Sequence, residues 1–170
     1  MRLFSGKIAP LSEELVEALV AGGDIECESK KEVVLDVQSV FTSYLQQERE
    51  VTEKAKSTME ARGLPQSEFA RVKKLAAEQK GIKVGDDLLD FLLDQLIEML
   101  LHSGNVDEVF AQDHDLRRRM RPVLKKHLEV EEALESEVRG QLKHLQEGTS
   151  AWDVEFGKTV ELLRRSRGLI

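Results

Sequence analysis

The sequence predicts an all-α protein built by tandem duplication of a three-helix unit, with a short first helix, a long second helix and a short third helix. Three observations predict it. Apolar residues recur at spacings of three and four over long stretches, prolines number only 3 in 170 residues, and two stretches about 80 residues apart repeat in order and pattern.

The repeat begins with LVEALVAGGDIE from Leu15, which matches LIEMLLHSGNVD from Leu96, placing Gly23 on Gly104 and Ile25 on Val106 at an offset of 81. A two-residue insertion then changes the offset to 83, and Val33, Val37, Val40, Phe41, Leu45 and Val51 fall opposite Leu116, Met120, Val123, Leu124, Leu128 and Leu134. A third block sets Phe69, Leu75 and Gly81 against Phe156, Leu162 and Gly168 at an offset of 87. The expected units are residues 1–83 and 84–170, co-folded and packed about a pseudo-twofold axis as symmetric dimers are.

The first helix of each unit is expected over about Leu11 to Ala21 and Asp86 to His102. Gly23 and Gly104 supply left-handed helix stops, with Ile25 and Val106 folding back over the last turn. In the long helix of the first unit, Val33, Val37, Val40, Tyr44, Val51, Ala55 and Met59 form a stripe that must be buried. Pro122 interrupts the equivalent helix of the second unit, where a kink or restart is expected because proline removes one hydrogen bond and crowds the preceding turn. The third helices carry the stripes Phe69, Val72, Leu75, Ala76 and Trp152, Phe156, Val160, Leu163, which read as core.

Composition narrows the function. A net charge of -7 opposes indiscriminate binding to phosphate backbones. Splitting the chain after Lys83 gives 13 basic and 14 acidic residues before it and 12 and 18 after it, so most of the negative charge belongs to the second unit. The single cysteine, Cys27, cannot form an internal disulfide, and no disulfide-linked partner is expected. The most apolar stretch, Leu88 to Leu101, is broken by Asp90, Asp94 and Glu98, which predicts a cytoplasmic protein without a membrane span.

No group of residues converges on a chemistry. The four histidines, His102, His114, His127 and His144, make neither a HExxH pair nor a Glu-x-x-His motif, and no phosphate-binding glycine loop occurs. His127 stands in the apolar stripe where the first unit has Tyr44, as expected of a satisfied core position. Neither an enzyme nor a cofactor or metal site is expected, and a helical enzyme with its site between the repeats is the least favoured alternative.

The most distinctive feature is RRRMRPVLKK, where Arg117, Arg118, Arg119, Arg121, Lys125 and Lys126 follow one another without an acid between them. The first unit has Val34, Leu35, Asp36, Gln38, Thr42 and Ser43 at these places, so the run is not part of the shared pattern. Two readings compete. In one, the run engages phosphates of RNA or DNA, or an acidic partner protein. In the other, Arg117, Arg121 and Lys125 pair with Asp90, Asp94 and Glu98 on the preceding helix, an antiparallel match of two stripes at spacings of four. Arg164, Arg165 and Arg167 at the chain's last helix end complement the helix dipole.

The start MRLFSGKI, the stretch QQEREVTEKAK, the turn HSGNVDEVFAQD with its RRRMRPVLKKH continuation, and HLQEGTSAWDVEF together resemble the bacterial domain of unknown function family number five hundred and seven, over essentially the whole chain. The resemblance implies an all-helical bacterial protein and carries over no activity, cofactor or catalytic residue. The functional expectation is a non-enzymatic helical interaction protein that binds a protein partner or a second copy of itself, with RNA or ribonucleoprotein binding as the alternative. The surface expected to do so is the basic run together with the turn residues Asn105, Asp107 and Glu108.

Overall fold

The computed structural model describes residues 1–170 and is all-helical apart from two strands of two residues each. Helix α1 spans Ile8–Ala21 after a 3-10 turn over Ser5–Lys7. Pro10 sits in its first turn, where a backbone N–H would have no helical partner. The helix closes as the glycines foretell: Gly23 takes φ 71°, its N–H bonds to Val20 O at 3.1 Å and the Asp24 N–H to Leu19 O at 2.9 Å, the paired bonds of a Schellman end.

Helix α2, Lys30–Arg62, is 33 residues long and therefore about 50 Å from end to end. Its buried stripe is Val33, Val37, Phe41, Tyr44, Val51, Ala55 and Met59. Gly63 at φ 60° ends it, and a short turn leads into α3, Phe69–Lys80. Within α3, Val72 and Ala77 are buried, whereas Leu75, expected in the core, is exposed.

Helix α4, Leu88–His102, stops differently from its expected counterpart. Gly104 is not left-handed. Instead Ser103 turns extended, its hydroxyl accepts the Asn105 N–H at 3.0 Å and donates to Asp36 of α2 at 2.5 Å. The turn is held from outside by a carboxylate, so glycine's conformational freedom is not used.

Helix α5, Asp113–Leu128, continues through Pro122 without a break, so of the expected kink or restart the restart does not occur. Pro122 is exposed, so its ring stands on the solvent side, while Leu116, Met120, Leu124 and Leu128 are buried on the opposite face. The long helix breaks later, at Glu129, and resumes as α6, Val130–Gln141. At that break the Leu128 carbonyl accepts the Arg2 N–H at 3.1 Å instead of a helical donor. The second half therefore holds four helices, not three, ending with α7, Ser150–Ser166.

The turns after α1 and α4 meet as an antiparallel ribbon, with β1, Ile25–Glu26, against β2, Glu108–Val109; Ile25 lies opposite Val109 and Glu26 opposite Glu108. Around it, α1 packs on both α2 and α5, and α4 on both α5 and α2. One cluster of 24 buried apolar residues fills this centre. Two hairpin arms leave it, each with a small core of its own. The end of α2 with α3 encloses Ala55, Met59 and Val72, and α6 with α7 encloses Leu134, Val138, Leu142, Trp152 and Val160. No helix is long and apolar enough to cross a membrane.

Candidate interaction surfaces

Helix α5 lies between α1 and α4, and that position divides the basic run over two faces. Toward α4, Arg117 reaches Asp94 at 2.7 Å and Asp113 at 2.6 Å, and Arg121 reaches Asp90 at 2.6 Å. These are two of the cross-helix pairs expected from the stripes. Lys125 instead pairs with Glu129 on its own helix end at 3.7 Å, and Glu98 takes no cation. Toward α1, Arg119 holds Asp24 at 2.7 Å and Lys126 holds Glu14 at 3.1 Å. Arg118 pairs only with Asp115, at 2.8 Å, and its side chain is 80% exposed. All six cations thus have a carboxylate partner within the chain.

These contacts tune the groups involved. The Arg117 hydrogen bond holds the Asp113 carboxyl below its ordinary value, and Arg117 is pushed further up, first by Asp113 and then by Asp94. Arg119 rises through its bond to Asp24. Glu14 is lowered, chiefly by the hydrogen bond from His127 and with help from Lys126, against a smaller opposing effect of burial. The His127 ring is buried, with Nε2 2.7 Å from Glu14 and Nδ1 without a partner. Tyr44 at the matching place donates its hydroxyl to the Lys83 carbonyl at 2.9 Å.

The turn residues serve the fold in part. The Asn105 amide donates to Asp36 at 2.9 Å, and the Asp107 N–H to the Glu26 carbonyl at 2.9 Å. Glu108 stands in the ribbon opposite Glu26. No hydrogen bond or ion pair joins these three residues to the cations of α5, whose partners are carboxylates of α1, α4, α5 and their flanks. Arg164, Arg165 and Arg167 pair with Glu131, Glu161 and Glu137.

A larger concavity lies elsewhere. A cleft of about 1660 Å³ runs between the α2–α3 arm and the body, with Leu45, Met59, Leu64 and Phe69 among its apolar lining. The opposite wall is made by Met1–Leu3 and Val84–Leu88. The ion pairs Lys73–Glu48 at 2.6 Å and Lys56–Glu53 at 3.5 Å lie along it, while Arg49, Lys74, Glu60, Asp86 and Asp87 add charge to its rim without an internal ion pair.

The family described as Protein of unknown function (DUF507) matches residues 1–169. The chain belongs to the DUF507 family. No curated protein matches it. In this DUF507 protein the cleft escaped sequence reasoning because its walls come from three separate segments, Met1–Leu3, the α2–α3 arm and Val84–Leu88. One signal was available. Along α2, the face carrying Leu45, Arg49, Thr52 and Lys56 recurs with helical spacing beside the buried stripe, which marks a half-polar face next to an apolar one.

Proposed function

We propose that this protein is a non-enzymatic interaction protein that grips a polypeptide segment of a partner protein in the cleft beneath the α2–α3 arm. The observation that carries this reading is the cleft's size and lining. Its volume of about 1660 Å³ exceeds the roughly 300–1,000 Å³ of ordinary small-molecule sites. From Leu45 to Gly63 it follows α2 for about 27 Å, at a rise of 1.5 Å per residue. An apolar floor with a charged rim is the anatomy of a protein interface.

The test is co-purification from a nuclease-treated lysate of the parent and of the double variant Ser57→Arg with Ala70→Arg. Both positions are exposed and line the cleft, so the new side chains obstruct it without disturbing the core. The expected result is a stoichiometric polypeptide that accompanies the parent, is lost from the variant, and leaves an unchanged melting temperature. A complex that survives in the variant, or that nuclease dissolves, overturns the reading.

Binding of RNA or a ribonucleoprotein through α5 is the second reading. It is favoured by the exposure of Arg118, Lys125 and Lys126, since exposed pairs contribute only about 0–1 kcal/mol and phosphates can replace the carboxylates.

We also propose that residues 1–83 and 84–170 are duplicated units that fold as one body about a pseudo-twofold axis. When the two-residue insertion is placed directly after Asp24, Ile25 corresponds to Glu108 instead of Val106 and Glu26 to Val109, while Asp24 still corresponds to Asn105 and Asp36 to Arg119. The ribbon pairs each residue with the counterpart of its neighbour, as an isologous contact requires. The Asp24–Arg119 and Asn105–Asp36 bonds join corresponding positions in the same reciprocal way.

A further inference from the structure

We infer that the segment Met1–Gly6 is a strap that couples the cleft to the α6–α7 arm, so that occupancy of the one and order of the other rise and fall together. The inference rests on the cleft being the binding site. Successive residues of the strap belong to different bodies. Met1, Arg2 and Leu3 form one cleft wall, and Leu3 is buried in the central core. Phe4 is 1% exposed and lies in the arm's core beside Trp152 and Val138.

Phe4 is the one buried residue of that seven-residue core that comes from outside α6, α7 and their flanks. A hairpin with so small a core is marginal alone, so the arm depends on the strap being docked. The anchorage is specific. The guanidinium groups of Arg2 and Arg164 lie 5.1 and 5.6 Å from the centre of the Phe4 ring, and both pair with Glu131. The remaining Glu131 oxygen and Arg164 Nε are buried without partners, so the charges of this anchorage rely on one another and loosening one loosens the rest.

The backbone follows the same path. The Arg2 N–H bonds to Leu128 O at the α5–α6 break, and the Gly6 N–H to Leu169 O at 2.8 Å. A chain held at both places transmits displacement at the cleft wall to the arm, and the coupling is reciprocal.

The experiment uses the full chain alone, with amide hydrogen exchange and the emission of Trp152, the single tryptophan. Leu3→Ala perturbs the strap on its cleft side. It should speed exchange in α6 and α7 at least about tenfold and shift Trp152 emission to the red, with α4 protected as before. Val138→Ala perturbs the arm, and should speed exchange at the Arg2–Gly6 amides to a similar degree. If either variant fails to fold, Glu131→Gln replaces it, with the same joint loosening of strap and arm expected. Changes confined to the side mutated, or spread evenly over all helices, overturn the proposal. Because no partner is present, its failure is separate from failure of the cleft-blocking variant to release one.

Discussion

The guanidinium of Arg119 holds the carboxylate of Asp24 at 2.7 Å and lies over Gly22, so closely that a Cβ there would stand 2.6 Å from it. The latch joins the α1 stop to α5 across 95 residues of sequence. Arg119→Ala is therefore expected to lower the melting temperature, because it strands a largely buried carboxylate. Asp24→Asn should also lower it, and the two changes together should do little more than either alone. Additive losses in a double-mutant thermal series would show that the pair is not coupled.

The same geometry separates the six cations of α5. Arg118→Glu, at the most exposed position, should leave thermal stability within about 0.5 kcal/mol of the parent. Lys126→Glu places a second carboxylate against Glu14 and should lower it. Equal effects in calorimetry would contradict the division of the run between solvent and structure.

Glu14 gives the protein an acid-sensitive contact. Its carboxyl is held below the ordinary 4.5, first by the His127 hydrogen bond, so folding favours the ionised form. The resulting stability is present above pH 4.5 and is lost as pH falls through the lowered value. Glu14→Gln should thus melt below the parent at neutral pH, and the gap should close on acidification below 4.5. A gap that stays constant with pH would refute this origin.

Gly6 crosses the chain's last turn so tightly that an added Cβ would lie 1.7 Å from the Gly168 carbonyl oxygen. A backbone atom cannot move aside as a side-chain tip does. Gly6→Ala should destabilise by about 1–3 kcal/mol or more, read by urea unfolding, and an unchanged midpoint would exclude the close crossing.

Pro122 costs α5 one hydrogen bond on its exposed face. Pro122→Ala should restore it and stabilise by on the order of 1 kcal/mol. A loss of stability on thermal unfolding would mean that proline's stiffness in the unfolded chain outweighs the bond.

What the sequence by itself determined is local in origin. Helical periodicity marked α2 and its buried face at Val33, Val37, Tyr44, Val51, Ala55 and Met59, because a stripe repeating at 3.6 residues has one way to hide from water. Gly23 announced its turn because φ 71° favours glycine. The aspartates of α4 and arginines of α5 announced their pairing through equal spacing. Tertiary structure decided the rest. Gly104 gave up its expected conformation to a turn held by Asp36, and the long helix broke at Glu129, where Arg2 takes the Leu128 carbonyl, while passing unbroken through Pro122. The cleft joins the first residues to the α2–α3 arm and the strap joins them to the last helices, and such contacts leave no period in the sequence because each partner is set by packing rather than by its neighbours.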